Sequence, residues 1–263
     1  MLRKGDADMD RFFGKGFEPH EVCGMFTAGH LIMVVIFSVL AFLIIFFFRK
    51  MSVKRVGQCM LAISIFVTVV EIVKTTYRIV DGQPPSDWVP LYYCSLFIFA
   101  SWLCNLKNRT LKTVGCSFIT MGGACAAIIF TLYPSTSLNI YPLWHFESIY
   151  SYIYHLLMFT SGIIMVTSGF YKPKKEHAIH YFTFLAIAAI PSIILNLTVD
   201  NINCLFMNDA YELPVLSDID AVAPWLYAII AFIGQSILMF WGNLGIYIGG
   251  RNAIRWFKNR KNK

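Results

Sequence analysis

Two side chains of this sequence, Cys94 and His155, have the chemistry of a nucleophile and a general base. A deprotonated thiol attacks an acyl ester, and an imidazole can accept the proton that the thiol loses. Pro90 suits the first turn of a helix, so Cys94 is predicted within about one turn of a helix start, where the helix dipole favours a thiolate. His155 follows Ser151 and Glu147 at intervals of four residues, so the three share one helical face. The sequence therefore predicts a Cys/His pair, provided that two helices bring the residues to a common depth.

Three charged residues form a stripe on one predicted helix. Glu71, Lys74 and Arg78 are spaced i, i+3 and i+7, which places them on one face. Each charge would cost on the order of 3 kcal/mol against lipid at the bilayer centre, so the stripe is expected to face the protein interior. There the charges would pair with each other or with Glu147, and the two cations could hold a phosphate. In the predicted topology the same layer contains the polar residues His30, Asn196, Asp200, Asn201 and Asn203.

The elements that position these residues are long apolar runs. Hydrophobic residues make up 57% of the chain and charged residues 14%, so we predict an integral membrane protein. A helix crosses about 30 Å of hydrocarbon with about 20 residues, and the runs are too long for barrel strands. We therefore predict an all-α, polytopic membrane bundle in a single domain, residues 1–263, with seven transmembrane helices at 27–48, 56–79, 88–106, 111–133, 147–170, 178–199 and 222–248.

Basic residues predict the orientation of the bundle. Short loops rich in Lys and Arg stay on the cytoplasmic side, and such residues cluster near positions 49–55, 107–112, 172–175 and 251–263. The N-terminal segment, residues 1–26, is thus predicted outside, with a basic cytoplasmic tail at 249–263, although Arg3, Lys4, Arg11 and Lys15 oppose this assignment. We interpret the net charge of +7 as an orientation and headgroup signal, not as a nucleic-acid surface. The predicted location is the cell membrane.

Motif searches exclude several other classes of site. The seven cysteines form no CxxC pair and no His/Cys ligand spacing, which argues against a metal site. There is no Walker loop and no dinucleotide fingerprint, so no cofactor is predicted. Cys23 and Cys204 are the two cysteines predicted outside, and a disulfide between them is left open, as is the oligomeric state.

Two other groups have structural interpretations. The three tyrosines Tyr133, Tyr141 and Tyr211 are interpreted, together with tryptophans, as an aromatic belt at the membrane interface. Gly242, Gly245 and Gly249 are predicted to allow close helix packing.

Several short motifs occur in a particular order along the chain. They are Phe26–Leu31 (FTAGHL), Glu71 with Tyr77–Ile79 and Gly82, Pro90–Cys94 (PLYYC), Tyr141 and Pro142 with Phe146 and His155, Asn196 with Asp200 and Asn201, and Ala223–Tyr227 (APWLY). Over residues 25 to 245 the chain resembles the YwaF-like family of bacterial integral membrane proteins. The animal relative of that family is a transmembrane acyltransferase that makes polyunsaturated ether phospholipids.

The resemblance implies acyl transfer, with Cys94 and His155 at the positions of the family's cysteine and histidine. Glu147 and Tyr150 or Ser151 stand where a basic residue and a glutamine are expected, so the headgroup preference does not carry over.

The leading hypothesis is a lipid acyltransferase or acyl-lipid hydrolase that acts on a membrane phospholipid or lysophospholipid. Cys94 would form a thioester with His155 as its base, while Asn196 or Asn201 would donate to the oxyanion. The alternative is a seven-helix protein that binds or transports a small molecule without catalysis, in which Glu71, Lys74 and His155 would be ligand groups. Chemistry requires the thiol of Cys94, whereas a carrier should tolerate its loss.

Overall fold

The chain folds into helices, with longer connections between Leu132 and Phe146 and between Thr198 and Leu216. The computed structural model describes residues 12–14, 17–80, 82–211, 213 and 215–261, and these contain helices but no strand. The principal helices are α1 (Ala28–Phe48), α2 (Val53–Val80), α3 (Leu96–Cys104), α4 (Arg109–Leu132), α5 (Phe146–Thr167), α6 (Ala178–Thr198) and α7, which runs from Pro224–Ile233 through the π-helical turn Gly234–Leu238 into Met239–Lys261. Shorter helices are Pro85–Trp88, Leu216–Val222 and the 3-10 turns Lys175–His177 and Cys204–Phe206.

Among the described residues, six helices are long and apolar enough to cross a membrane: α1, α2, α4, α5, α6 and α7. The predicted helical class is therefore confirmed, and the chain is a multi-pass membrane protein. For the first five of these helices the bounds lie close to those of the predicted spans, because each apolar run is bordered by polar or turn residues. α7 differs, since its helix continues beyond the predicted end at 248 to Lys261, through most of the predicted basic tail.

The third predicted span, 88–106, is helical only over Leu96–Cys104. Nine residues of helix rise about 14 Å, less than the thickness of the hydrocarbon core. The stretch before α3 is fixed from elsewhere in the chain, since Leu205 N donates to Leu91 O at 3.0 Å and Tyr154 Oη donates to Cys94 O at 3.0 Å. Cys94 therefore precedes a short helix instead of lying in its first turn.

Two ends of the bundle differ in composition. Where α2 ends and α5 begins, Arg78 pairs with Glu147; we call this the site end. At the opposite, basic end, the ammonium group of Lys112 on α4 lies 4.1 Å from the ring centroid of Phe170, which follows α5. α2 and α4 thus both run towards the site end, whereas α5 runs away from it.

Glycines of α4 and α5 allow neighbouring groups to approach closely. A Cβ atom on Gly122, in the π-helical turn Phe118–Gly123, would lie 2.0 Å from Tyr93 Oη, and one on Gly162 would lie 3.0 Å from Ile119 O. The prediction for α7 is wrong: within the described structure, a Cβ on Gly242, Gly245 or Gly249 would meet no atom within 4 Å. Close approach therefore occurs in the buried helices and not along the glycine stripe of α7.

The described part of the N-terminal segment covers the site end. Tyr77 Oη donates to Phe13 O at 2.9 Å, and His145 Nε2 donates to Gly14 O at 3.1 Å. The basic residues Arg3, Lys4, Arg11 and Lys15 lie outside the described residues.

The disulfide left open by the sequence is not formed, because Cys23 and Cys204 are both free thiols. Cys23 packs with the cluster around Met33 and Phe37, whereas Cys204 is held through its backbone by Asn196.

Candidate functional site

Two cavities meet inside the site end. One, the polar chamber, has a volume of about 170 Å³ and is lined by the charged residues Glu71, Lys74, Arg78 and Glu147. The other, the apolar chamber, has a volume of about 370 Å³ and a mainly hydrocarbon wall. Six residues line both chambers: Cys94, Phe130, Thr136, His155, Phe206 and Tyr211. The two candidate reactive residues therefore lie where a polar space joins an apolar one.

The charges of the polar chamber are arranged as two ion pairs. Lys74 Nζ lies 2.8 Å from Glu71 Oε2, and the guanidinium of Arg78 pairs with Glu147. Tyr150 Oη donates to Glu71 Oε2 at 2.9 Å. The stripe on α2 faces the interior, as expected from the cost of exposing it to lipid. With two cations and two anions, these four side chains carry no net charge.

His155 on α5 has one ring nitrogen that is available to a ligand. Its Nδ1 lies 2.7 Å from Ser151 O, and its ring stacks on Phe130 with centroids 3.7 Å apart. A carbonyl oxygen only accepts, so we assign the proton to Nδ1, which leaves the lone pair of the neutral ring on Nε2. Among the described residues, Nε2 has no hydrogen-bond partner. Ser151 thus orients the imidazole through its backbone, with the basic nitrogen free.

Cys94 is held by its backbone and leaves its sulfur free. Its carbonyl accepts from Tyr154 Oη at 3.0 Å, and among the described residues no hydrogen bond reaches its sulfur. Within the described part of the chain, no hydrogen bond joins Cys94 to His155. The structure therefore brings the two residues to the same chambers without direct contact.

None of the five polar residues predicted in the same layer lines either chamber. Asn203 Nδ2 donates to Asp209 O at 2.8 Å. His30 uses both ring nitrogens structurally: Phe26 N donates to Nδ1 at 2.9 Å and Nε2 donates to Thr131 O at 3.0 Å. Asn196 uses both amide atoms on the backbone of Cys204, at 3.1 and 2.8 Å. The other two, Asp200 and Asn201, are exposed on the loop after α6.

Several residues of the site were missed by sequence reasoning. Phe206 and Tyr211, which line both chambers, have φ angles of 52° and 47°, a conformation uncommon for non-glycine residues. Tyr211 was interpreted, with Tyr133 and Tyr141, as part of an interfacial belt, and all three line the chambers. No periodic pattern could have indicated Phe206 or Tyr211, because they lie in an irregular loop.

Gln235 is a further residue that the sequence did not single out. Its Nε2 donates to Leu205 O at 2.6 Å, and the residue lines the apolar chamber. Its Oε1 is buried and has no hydrogen-bond partner among the described residues. A buried acceptor without a donor is costly, which distinguishes this position from the rest of the apolar wall.

Comparison with known proteins identifies the family. Among the described residues, no group of three His, Cys, Asp or Glu side chains is placed to hold a metal ion. No curated protein and no solved structure matches the chain. The sequence model of the TMEM164 family matches residues 25–244. This range is nearly the one over which the motifs occur, and it includes all of the residues that line the two chambers. The chain therefore belongs to the TMEM164 family.

Proposed function

We propose that this protein transfers or hydrolyses an acyl group of a membrane phospholipid or lysophospholipid, with Cys94 as nucleophile and His155 as base. The observation that carries the proposal is the position of both residues at the junction of the polar and apolar chambers. The acyl ester of a phospholipid likewise lies between a charged headgroup and a hydrocarbon chain. A lipid with its headgroup in the polar chamber would thus present its ester to Cys94.

The reaction proceeds in two steps. His155 Nε2 takes the proton of the Cys94 thiol, the thiolate attacks the ester carbonyl, and the C–O bond breaks as the imidazolium returns the proton to the leaving alcohol. A lysolipid hydroxyl or water then attacks the thioester, with His155 again as base, and the thiol is regenerated. Cys94 must turn towards Nε2 for the first step; catalytic hydrogen bonds often form only when substrate is bound.

We propose a different oxyanion donor from the asparagines considered above. Asn196 and Asn201 line neither chamber. Ser95, the residue after Cys94, lines the polar chamber and has a backbone N–H. We assign the oxyanion contact to this N–H, which lies at the N-terminal end of α3 where the helix dipole supports negative charge. Lys74 and Arg78 would share the lipid phosphate with the carboxylates they already contact.

The membrane arrangement forms part of the proposal. We infer that the segment containing α3 also crosses, which gives seven crossings, with the N-terminus outside and the basic end in the cytoplasm of a cell membrane. The relation to bacterial YwaF-like proteins remains a prediction, as does the absence of a nucleic-acid partner.

A binding or transport function without catalysis is the second candidate. The absence of a hydrogen bond between Cys94 and His155 in the described structure favours it, as do the ion pairs that already occupy the polar chamber. In that case Glu71, Lys74 and His155 would contact the ligand, and Cys94 would only fill space.

The test measures acyl exchange by the purified protein in phospholipid vesicles that contain an isotope-labelled lysophospholipid, with mass spectrometry as readout. We expect Cys94→Ala and His155→Gln to lower the rate by roughly 10²-fold or more. Cys125→Ala is the matched control, because that cysteine lines neither chamber. Undiminished exchange in Cys94→Ala would reject the nucleophile and favour the binding function.

A further inference from the structure

The apolar chamber separates two helices of the bundle. On one side it is lined by Ala126 and Ile129 of α4, and on the other by Ile230, Ala231 and Leu238 of α7. Deeper in the bundle the two helices are in contact, since the π-helical turn Phe118–Gly123 of α4 packs against Met239–Lys261 of α7 and Asn243 Nδ2 donates to Met121 O at 2.6 Å. The chamber therefore lies between α4 and α7 only on the site-end side of this contact.

This chamber faces the lipid side of the bundle. Its rim residues Ile129 and Leu238 are 45% and 70% exposed, and both belong to helices long enough to span a membrane. Exposed apolar side chains on such helices contact lipid. The chamber therefore opens sideways, towards the hydrocarbon of the bilayer.

The chemistry of the wall indicates what can occupy this space. Water is held in cavities that offer it several polar partners, and this wall is mainly hydrocarbon. The opening faces lipid, and the hydrocarbon chains of lipid are as apolar as the wall of the chamber. At its inner end the chamber reaches Cys94 and His155, so a chain that enters from the bilayer would lie beside the reactive pair.

Gly234 keeps the chamber wide. It lines the chamber at the start of the π-helical turn of α7, and a Cβ at this position would meet no atom within 4 Å in the described structure. A larger side chain could therefore extend into the cavity without a clash at its first carbon. Gly234 also lies at about the same depth as His155. Gly234 is ten residues into α7 and His155 nine residues into α5, and at about 1.5 Å per residue both lie about 15 Å from the site end of their helices.

We propose that the apolar chamber is an acyl-chain site, that the chain enters sideways between α4 and α7, and that Gly234 determines whether a chain fits. The proposal rests on the proposed function for the identity of the reacting ester. Occupancy by a chain does not itself require the thiol, so the two proposals can be tested separately.

The experiment uses the full-length protein in phosphatidylcholine vesicles that contain a phosphatidylcholine with a diazirine midway along its second acyl chain. After illumination, the labelled positions are mapped by mass spectrometry. In the chamber peptides from α4 and α7 only labels on the wall residues Ala126, Ala231 and Gln235 are counted, because other side chains of these helices contact bulk lipid. Their labelling is normalised to that of α1, which faces lipid along most of its length. We expect the chamber peptides to be labelled to the same extent in the wild type and in Cys94→Ala.

The decisive variant is Gly234→Phe, which should lower the normalised chamber labelling roughly tenfold or more, because it fills the space of several methylenes. Gly242→Phe is the matched control, since its Cβ also meets open space on the same helix but the residue does not line the chamber. The thermal unfolding midpoint of each variant shows whether its fold is intact; if Gly234→Phe unfolds, Ala231→Leu replaces it.

The outcomes separate the two proposals. Equal labelling in Gly234→Phe and Gly242→Phe, or no labelling of the chamber in the wild type while α1 is labelled, would overturn the acyl-chain site. Chamber labelling together with full acyl exchange by Cys94→Ala would support the acyl-chain site and reject the proposed nucleophile.

Discussion

His30 and His155 lie near the site end with the same imidazole, yet the structure leaves only one of them able to act as a base. Both nitrogens of His30 are engaged by backbone groups, whereas His155 uses one nitrogen on Ser151. Counting residues along a helix predicts how deep each ring lies. It does not predict which backbone groups the ring will meet, because Thr131 approaches His30 from a distant part of the chain.

His145 provides a pH-dependent contribution to stability. It caps α5, since its Nδ1 accepts from Glu147 N at 3.1 Å, and it holds Gly14 through Nε2. Burial lowers the pKa of His145 below its ordinary value, so the neutral ring is favoured in the folded state. Its contribution should be complete above pH about 6.5, the ordinary histidine pKa, and should be lost as the pH falls below that value towards the lowered pKa.

Thermal unfolding in detergent between pH 7.5 and 5 checks this prediction. His145→Asn keeps an acceptor for the helix cap and removes the titration, so its midpoint should fall less with pH than that of the wild type. His145→Ala should cost about 1 kcal/mol near neutral pH, as expected for loss of an N-cap. The same pH dependence in the wild type and in His145→Asn would contradict the assignment.

At the scale of elements, the sequence predicted the six long helices well but not α3. Long apolar runs in a membrane must satisfy their own backbone, so run length alone is informative. The stretch before α3 escapes this rule because it is bonded to Leu205 and Tyr154. These contacts come from residues more than fifty positions away, and no local pattern reveals them.

For glycines too, the effect of a substitution depends on the surrounding structure and not on the local sequence pattern. Gly122→Ala would place a methyl group 2.0 Å from Tyr93 Oη and 2.6 Å from Tyr181 Oη, where the two hydroxyls are hydrogen-bonded at 2.6 Å. We expect this variant to lower the free energy of unfolding by about 1–3 kcal/mol, the range for overpacking a close-packed interior.

Gly242→Ala is the control for this change. A methyl group there meets open space in the described structure, and alanine is the better helix former by about 1 kcal/mol. Unfolding midpoints of both variants in detergent test the prediction; a stable Gly122→Ala protein would show that the close approach of α4 to the tyrosines is not rigid.

At the scale of the whole molecule, the candidate site is assembled from separate parts of the chain, including the charged stripe of α2 and Phe130 of α4. Cys94 comes from the turn before α3, His155 from α5, Phe206 and Tyr211 from the loop after α6, and Gln235 from α7. Sequence reasoning found the first two and the charged stripe, because their chemistry is unusual in a membrane. It missed the aromatic and amide wall, because those residue types are common and become informative only when the helices are packed.

The orientation of the molecule follows from the distribution of its charges. Basic residues at one end should remain in the cytoplasm because translocating them is unfavourable, whereas the site end should face outward. Cysteine substitutions at exposed loop positions test this arrangement with a maleimide that cannot cross the membrane. Asp200→Cys at the site end should be labelled in intact cells, whereas Lys174→Cys at the basic end should be labelled only after permeabilisation. The wild-type protein serves as the control, because its labelling comes from the natural cysteines alone.

Lys107→Cys tests whether the segment with α3 crosses the membrane. Lys107 lies between α3 and α4, so a crossing places it on the same side as Lys174, although α3 is only nine residues long. We expect labelling at position 107 only after permeabilisation, because the non-helical stretch before α3 completes the crossing with its backbone bonded inside the protein. Labelling of Lys107→Cys in intact cells would mean that this segment returns to the outer face, and that the site is built around a re-entrant loop.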